Sequence, residues 1–195
     1  MSPRGVAIEG LRERLFAAAE RVLARDGAAA LTSRAVTEEA ECAKGVLHTH
    51  FAGLDEFVAE LVLHRFAAAA ALSEDLPSRA GAGSVEDSLG QVATAVLSLD
   101  PGLVGLVVTR PLAARRVREA WQEGAPGFTA IQDAVSGYLR AEQEMGRVAR
   151  SLDAEAVALA LVGTLHHLLM TGTADATQGA RDQVERLIRT LVLTA

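Results

Sequence analysis

Cysteine is almost missing from this sequence. Cys42 is the single one among 195 residues, which excludes an intrachain disulfide and fits a reducing compartment. Aromatic residues amount to only 4%, and no alternating strand pattern occurs, so a β-rich fold is excluded. Positive charge is in the minority too. Nineteen Lys and Arg face 25 Asp and Glu, a formal charge of −6, which argues against coating nucleic acid indiscriminately while leaving room for a local patch. The opening MSPRGVAIEG lacks the apolar core of a signal peptide. No stretch reaches the ~18 uninterrupted apolar residues of a membrane span. These absences lead us to expect a soluble cytoplasmic protein with no membrane partner.

What is present favours helices. Hydrophobic residues make up 50% of the chain, dominated by Ala and Leu, the residues of highest helix propensity. From Ile8 the apolar positions Leu11, Leu15, Ala19, Val22 and Leu23 repeat at three and four, and Asp26-Gly27 ends that helix. Thr32 is a good N-cap for a helix to about Ala40. A turn, Glu41-Cys42-Ala43, precedes a short helix from about Lys44 to His50, and a long helix runs from about Leu54 to Leu72. Residues 73–83 form a polar connection, and Ser84 starts the next helix as part of a capping box. Further breaks fall at Asp100-Pro-Gly, Arg110-Pro111, Gly124–Gly127 and Gly146. Asp153 caps a strongly apolar helix, and the loop TGTADATQGA leads to a last one. The expectation is an all-α chain of about nine helices: a three-helix N-terminal domain over residues 1–52, its connecting helix continuing to about 68, and a larger helical domain over 53–195.

Helix, turn, short helix between Thr32 and Phe51 is the helix-turn-helix layout, whose second helix can enter a DNA major groove. Val36, Ala40, Cys42 and Leu47 are spaced to hold the two helices together. That turns Lys44, Gly45, His48, Thr49 and His50 outward. Small residues such as Ala43 and Gly45 permit close approach of backbone to phosphate, while His and Thr can bond phosphates or base edges. The run LTSRAVTEEAECAKGVLHTHFAGLDEF resembles the DNA-binding domain of the tetracycline-repressor (TetR) family. Thr32, Val36, Ala40, Leu47, Phe51 and Phe57 sit where that pattern expects them, over roughly residues 8–68. The resemblance implies DNA contacts from Thr32, Ser33, Arg34, Ala43, Lys44, Gly45, His48, Thr49 and His50. Three positions depart from the pattern. Glu41 takes the place of the turn glycine, His48 that of a phosphate-binding tyrosine, and Leu54 that of a lysine. Residues 32–51 carry two cations, Arg34 and Lys44, against Glu38, Glu39 and Glu41. Few neutralised phosphates imply a shallow salt dependence of DNA binding.

The remainder, by the same resemblance, is a ligand-sensing and dimerising domain. The helix after Asp153 is apolar nearly all round, too much so for one with a solvent face. Leu161, Gly163 and Leu168 on it, with Val184, Leu187, Ile188 and Leu191 on the last helix, are expected to form a two-fold four-helix interface. Leu103, Leu106, Val107, Arg110, Trp121, Phe128, Tyr138 and His166 are the candidate contacts for a small-molecule effector. The partners expected are therefore an operator duplex, an unidentified effector and a second copy of the chain. No cofactor is implied.

Other chemistries find no support. Cys42 fills a small apolar position of the turn, His48 and His50 point to different sides of a helix and chelate poorly, and Arg115, Arg116 and Arg118 read as solvated surface. No nucleophile–base order, carboxylate pair, metal spacing or phosphate loop marks an enzyme. The alternative to a DNA-binding regulator is a helical ligand-binding or protein-interaction module that has lost DNA binding.

Overall fold

The computed structural model describes residues 4–171 and 177–193. Among them lie ten α-helices and no strand: α1 (Arg4–Asp26), α2 (Ser33–Glu39), α3 (Val46–His50), α4 (Leu54–Ala71), α5 (Val85–Leu97), α6 (Pro101–Thr109), α7 (Pro111–Gln122), α8 (Phe128–Glu144), α9 (Ala154–Thr171) and α10 (Thr177–Leu193). Two 3-10 turns, Ala28–Ala30 and Leu76–Arg79, sit in segments read as plain connections. Such turns are too short to show a hydrophobic period. The last loop is also shorter than expected, because α9 runs through Thr171 and α10 takes in Thr177–Ala180.

The boundaries have local causes. Gly27, at φ 78°, ends α1 in the left-handed conformation that glycine adopts without a Cβ clash. The Thr32 hydroxyl accepts the Ala35 N–H at 3.1 Å, and that of Ser84 accepts the Asp87 N–H at 3.0 Å. Pro101 and Pro111 open α6 and α7, where a missing N–H costs nothing. The Asp153 carboxylate accepts the N–H groups of Glu155 and Ala156 ahead of α9.

The chain divides into two compact units. The first takes residues up to Val62 together with Gly102–Ala120; the second takes Leu63–Pro101 and the residues from Trp121 on. In the first unit α1 packs on α2, and Phe16, Phe51 and Phe57 form a buried aromatic knot with centroids 5.0–6.1 Å apart. In the second, α8 lies on α9 and α10 on α5, around Leu89, Ile131, Val135, Leu139 and Leu165.

Leu161, Val184 and Ile188, expected at a dimer interface, are buried in this second core instead. They meet other helices of their own chain and have no surface left to offer a partner. Gly163 is exposed, and Leu168, Leu187 and Leu191 are half-buried. The apolar helix α9 therefore has two faces. Its inner one packs in the core, and its outer one carries Leu159, 60% exposed, and Met170, 44% exposed. By length and composition α9 would also suit a membrane span, though its inner face is occupied.

Candidate nucleic-acid interface

The helix-turn-helix is assembled from two helices too short to persist alone, seven residues in α2 and five in α3. Burial holds them: Val36 and Leu47 are completely enclosed, Ala40 nearly so, and Cys42 is half-buried. Thr37 is enclosed as well, and its hydroxyl donates back to the Ser33 and Arg34 carbonyls at 3.0 and 3.1 Å. The turn between the helices requires a left-handed residue. Glu41 supplies it at φ 52°, the only non-glycine with positive φ among the described residues.

With the inner face so fixed, Ala43, Lys44, Gly45, His48 and Thr49 are exposed together and His50 is half-buried. Thr49 bonds back to the Gly45 carbonyl at 3.1 Å, which leaves its methyl free to meet an apolar base edge. Lys44, the only lysine in the sequence, makes no ion pair among the described residues. Thr32 is exposed but spends its hydroxyl as the α2 cap, and Ser33 is half-buried beside it. Arg34 is paired with Glu38 at 2.7 Å, a contact that a phosphate would have to displace.

Behind this face the arginines are engaged in building the head. Glu39 receives Arg21 at 2.7 Å and Arg25 at 2.8 Å, and these two guanidiniums hold its carboxyl below the ordinary 4.5. Arg14 donates to the Ala40 carbonyl at 2.9 Å, covering the end of α2. Arg12 pairs with Glu60 and lies 4.8 Å over the Phe51 ring. Local cation supply at the reading face thus comes down to Lys44, with Arg34 in reserve.

The residues proposed for an effector are divided between the two units. Leu103, Leu106, Val107 and Arg110 belong to the first unit, whereas Trp121, Phe128, Tyr138 and His166 belong to the second. Leu103 and Leu106 are buried, and Arg110 spends its guanidinium on Asp55 and on the Leu31 carbonyl, so it is a structural clasp rather than a free polar contact. In the second unit Trp121 and Phe128 both pack edge-on against Phe66, at 5.4 and 5.0 Å, and His166 stacks edge-on against Phe128 at 5.0 Å. Phe66 was missed by sequence reasoning, because on a long apolar helix nothing marks one phenylalanine from its neighbours. Tyr138 is fully enclosed, and burial pushes its phenol up.

These features define a transcriptional regulator with a DNA-binding helix-turn-helix head. Residues 15–61 match the family model of the bacterial regulatory proteins, tetR family, which identifies the helix-turn-helix head as a DNA-binding domain of that type. Solved structures extend the likeness in fold to the remaining helices. A TetR-family transcriptional regulator from Mesorhizobium loti superposes with a TM-score of 0.71 at 15% identity, covering 95% of this chain and 96% of that one. Reduced NemR from E. coli gives 0.71 at 16% identity, with 93% and 97% covered. The transcriptional regulator FadR from Bacillus subtilis, solved with stearoyl-CoA, gives 0.63 at 16%, with 92% and 97% covered. No curated protein matches the sequence.

Proposed function

We propose that the protein is an effector-responsive transcriptional repressor that acts in the cytoplasm as a homodimer on a near-palindromic operator. The observation that carries this reading is the α3 face: Lys44, Gly45, His48 and Thr49 stand exposed on a helix whose other side is locked by Leu47. Two such helices about 34–36 Å apart would read successive major grooves on one side of a duplex. The outer face of α9 supplies a pairing surface. Leu159, Gly163 and Met170 recur at helical spacing and are exposed, with Leu187 and Leu191 half-buried on α10. Such an apolar stripe is costly to leave in water, and a second copy is its simplest cover.

The aromatic group of Phe66, Trp121, Phe128 and His166 is our candidate for effector contact. The FadR structure with stearoyl-CoA shares this fold with a bound small molecule, which supports an effector here without indicating which. Helix α4 contributes residues to both units and is the natural lever. A coupling of ~1–3 kcal/mol would lower DNA affinity about 5- to 150-fold.

Selection of bound duplexes from a randomised pool by the purified protein tests the reading. An inverted repeat is expected, with Lys44→Ala weakening its binding and lowering the salt slope by about 1. No enrichment even at low salt would favour the module without DNA binding, a reading that the acidic α2–α3 segment alone supports.

A further inference from the structure

Helices α6 and α7 cluster with the head, far along the chain from it. Leu103, Leu106, Ala113 and Val117 form their buried side, and Gly105 passes close to Ala28. Two guanidiniums extend from this pair. Arg110, at the junction of α6 and α7, donates from Nη2 to the Leu31 carbonyl at 3.0 Å and from Nη1 to the Asp55 carboxylate at 3.2 Å. Arg116 donates to Glu56 at 2.6 Å, and the other oxygen of Glu56 accepts the Ala52 N–H.

The placement of those acceptors is what matters. Leu31 directly precedes the cap of α2, and Asp55 lies in the first turn of α4, so the whole helix-turn-helix falls between them. One planar fork therefore grips the entry and the exit of the DNA-reading motif at once. Lysine, whose three donors sit on one nitrogen, would not span the two acceptors as the planar fork does. Neither α2 nor α3 is long enough to hold its direction unaided. We propose that Arg110 is a positioning residue for DNA recognition: from outside the N-terminal segment it sets the spacing of α2 and α4 and thereby the aim of α3. The Arg116–Glu56 pair is its second fastening.

The inference rests on the DNA-binding reading, and the test separates the two. Full-length Arg110→Gln, Arg110→Lys and Asp55→Asn are compared with Arg118→Gln, which removes an exposed charge of α7 that makes no hydrogen bond or ion pair among the described residues. The probe is the duplex that the unaltered protein selects, titrated well below each variant's melting temperature. Arg110→Gln should weaken binding by about 2- to 30-fold, with Arg110→Lys and Asp55→Asn between it and the control. Amide exchange across residues 32–50 should quicken in the same order. A lower melting temperature with affinity equal to that of Arg118→Gln would overturn the proposal by reducing Arg110 to a stabilising contact. Should Arg110→Gln not fold, Asp55→Asn decides by the same criterion. If the unaltered protein selects no duplex, the DNA-binding reading fails, and unchanged exchange in Arg110→Gln would independently refute the clasp.

Discussion

The two units are held together by different means. In the head, short helices are tied by half-exposed ion pairs: Arg21 and Arg25 on Glu39, Arg110 on Asp55, Arg116 on Glu56. In the second unit, long helices bury an apolar core, and its enclosed charge is the Glu142 carboxylate, which accepts the Gly81 N–H at 3.0 Å and meets Arg147 at 3.3 Å. A helix of five residues buries too little to fix its own direction, so directional bonds complete the task. Helices of 17 and 18 residues, such as α8 and α9, bury enough to fix their own direction, and the pair between them, Arg140 with Glu155 at 2.6 Å, is largely exposed. The comparison suggests that clasps aim the head while its small aromatic knot stabilises it.

Removing part of that knot is the most severe way to break the comparison. Phe57→Ala should cost about 3–5 kcal/mol in urea unfolding. Exposed ion pairs are worth only about 0–1 kcal/mol each, so a mild result would mean that the clasps carry the stability after all. Next in size is Gly127→Ala in the second unit. A Cβ there would stand 2.7 Å from Trp121 Nε1 and 3.1 Å from its Cδ1. We expect a cost of about 1–3 kcal/mol from the overpacking, with a shift in Trp121 emission. Gly163→Ala, where a Cβ meets nothing within 4 Å, is the matched control: it should leave Trp121 emission unchanged and, as an open mid-helix glycine, gain about 0.5–1 kcal/mol.

Acid should then separate the units. The Ala52 N–H and Arg116 hold the Glu56 carboxyl below its ordinary 4.5, as Arg21 and Arg25 hold that of Glu39. Lowered folded-state values contribute stability that is present above pH 4.5 and lost as pH falls through them. Melting followed by exchange at head amides should therefore decline below pH 4.5, and Glu56→Gln should flatten that decline. An equal slope in Glu56→Gln would remove the pair from the account. The smallest effect is expected at the turn. Glu41→Gly relieves a left-handed glutamate and should gain about 0.5–1 kcal/mol, the glycine's own entropy offsetting part of the relief. Raised thermal stability with unchanged DNA affinity would agree; a loss would mean that the Glu41 side chain has a role of its own.

Much of the head was legible because its signals are local. The Thr32 cap, the Asp26-Gly27 stop, the demand for a left-handed residue at Glu41 and the inward set of Val36, Ala40 and Leu47 all act within a few residues. The second unit was legible as helices and not as contacts. An apolar stripe such as Val184, Leu187, Ile188 does not state whether its cover is the same chain or another, and for Val184 and Ile188 the cover is the same chain. Arg110 shows the same limit in polar form. An isolated arginine among apolar residues reads as a ligand contact when its acceptors lie 55 and 79 positions away. Leu159 was overlooked on α9 because a helix apolar all round gives no hint of which side faces outward until its neighbours are placed.

The solitary amine at position 44 has a practical corollary. A protease specific for lysine can cut these 195 residues at one bond only, between Lys44 and Gly45, at the tip that would enter the groove. Shielding of that bond by a duplex would report occupancy directly, with no label attached and no second cleavage to confuse the reading.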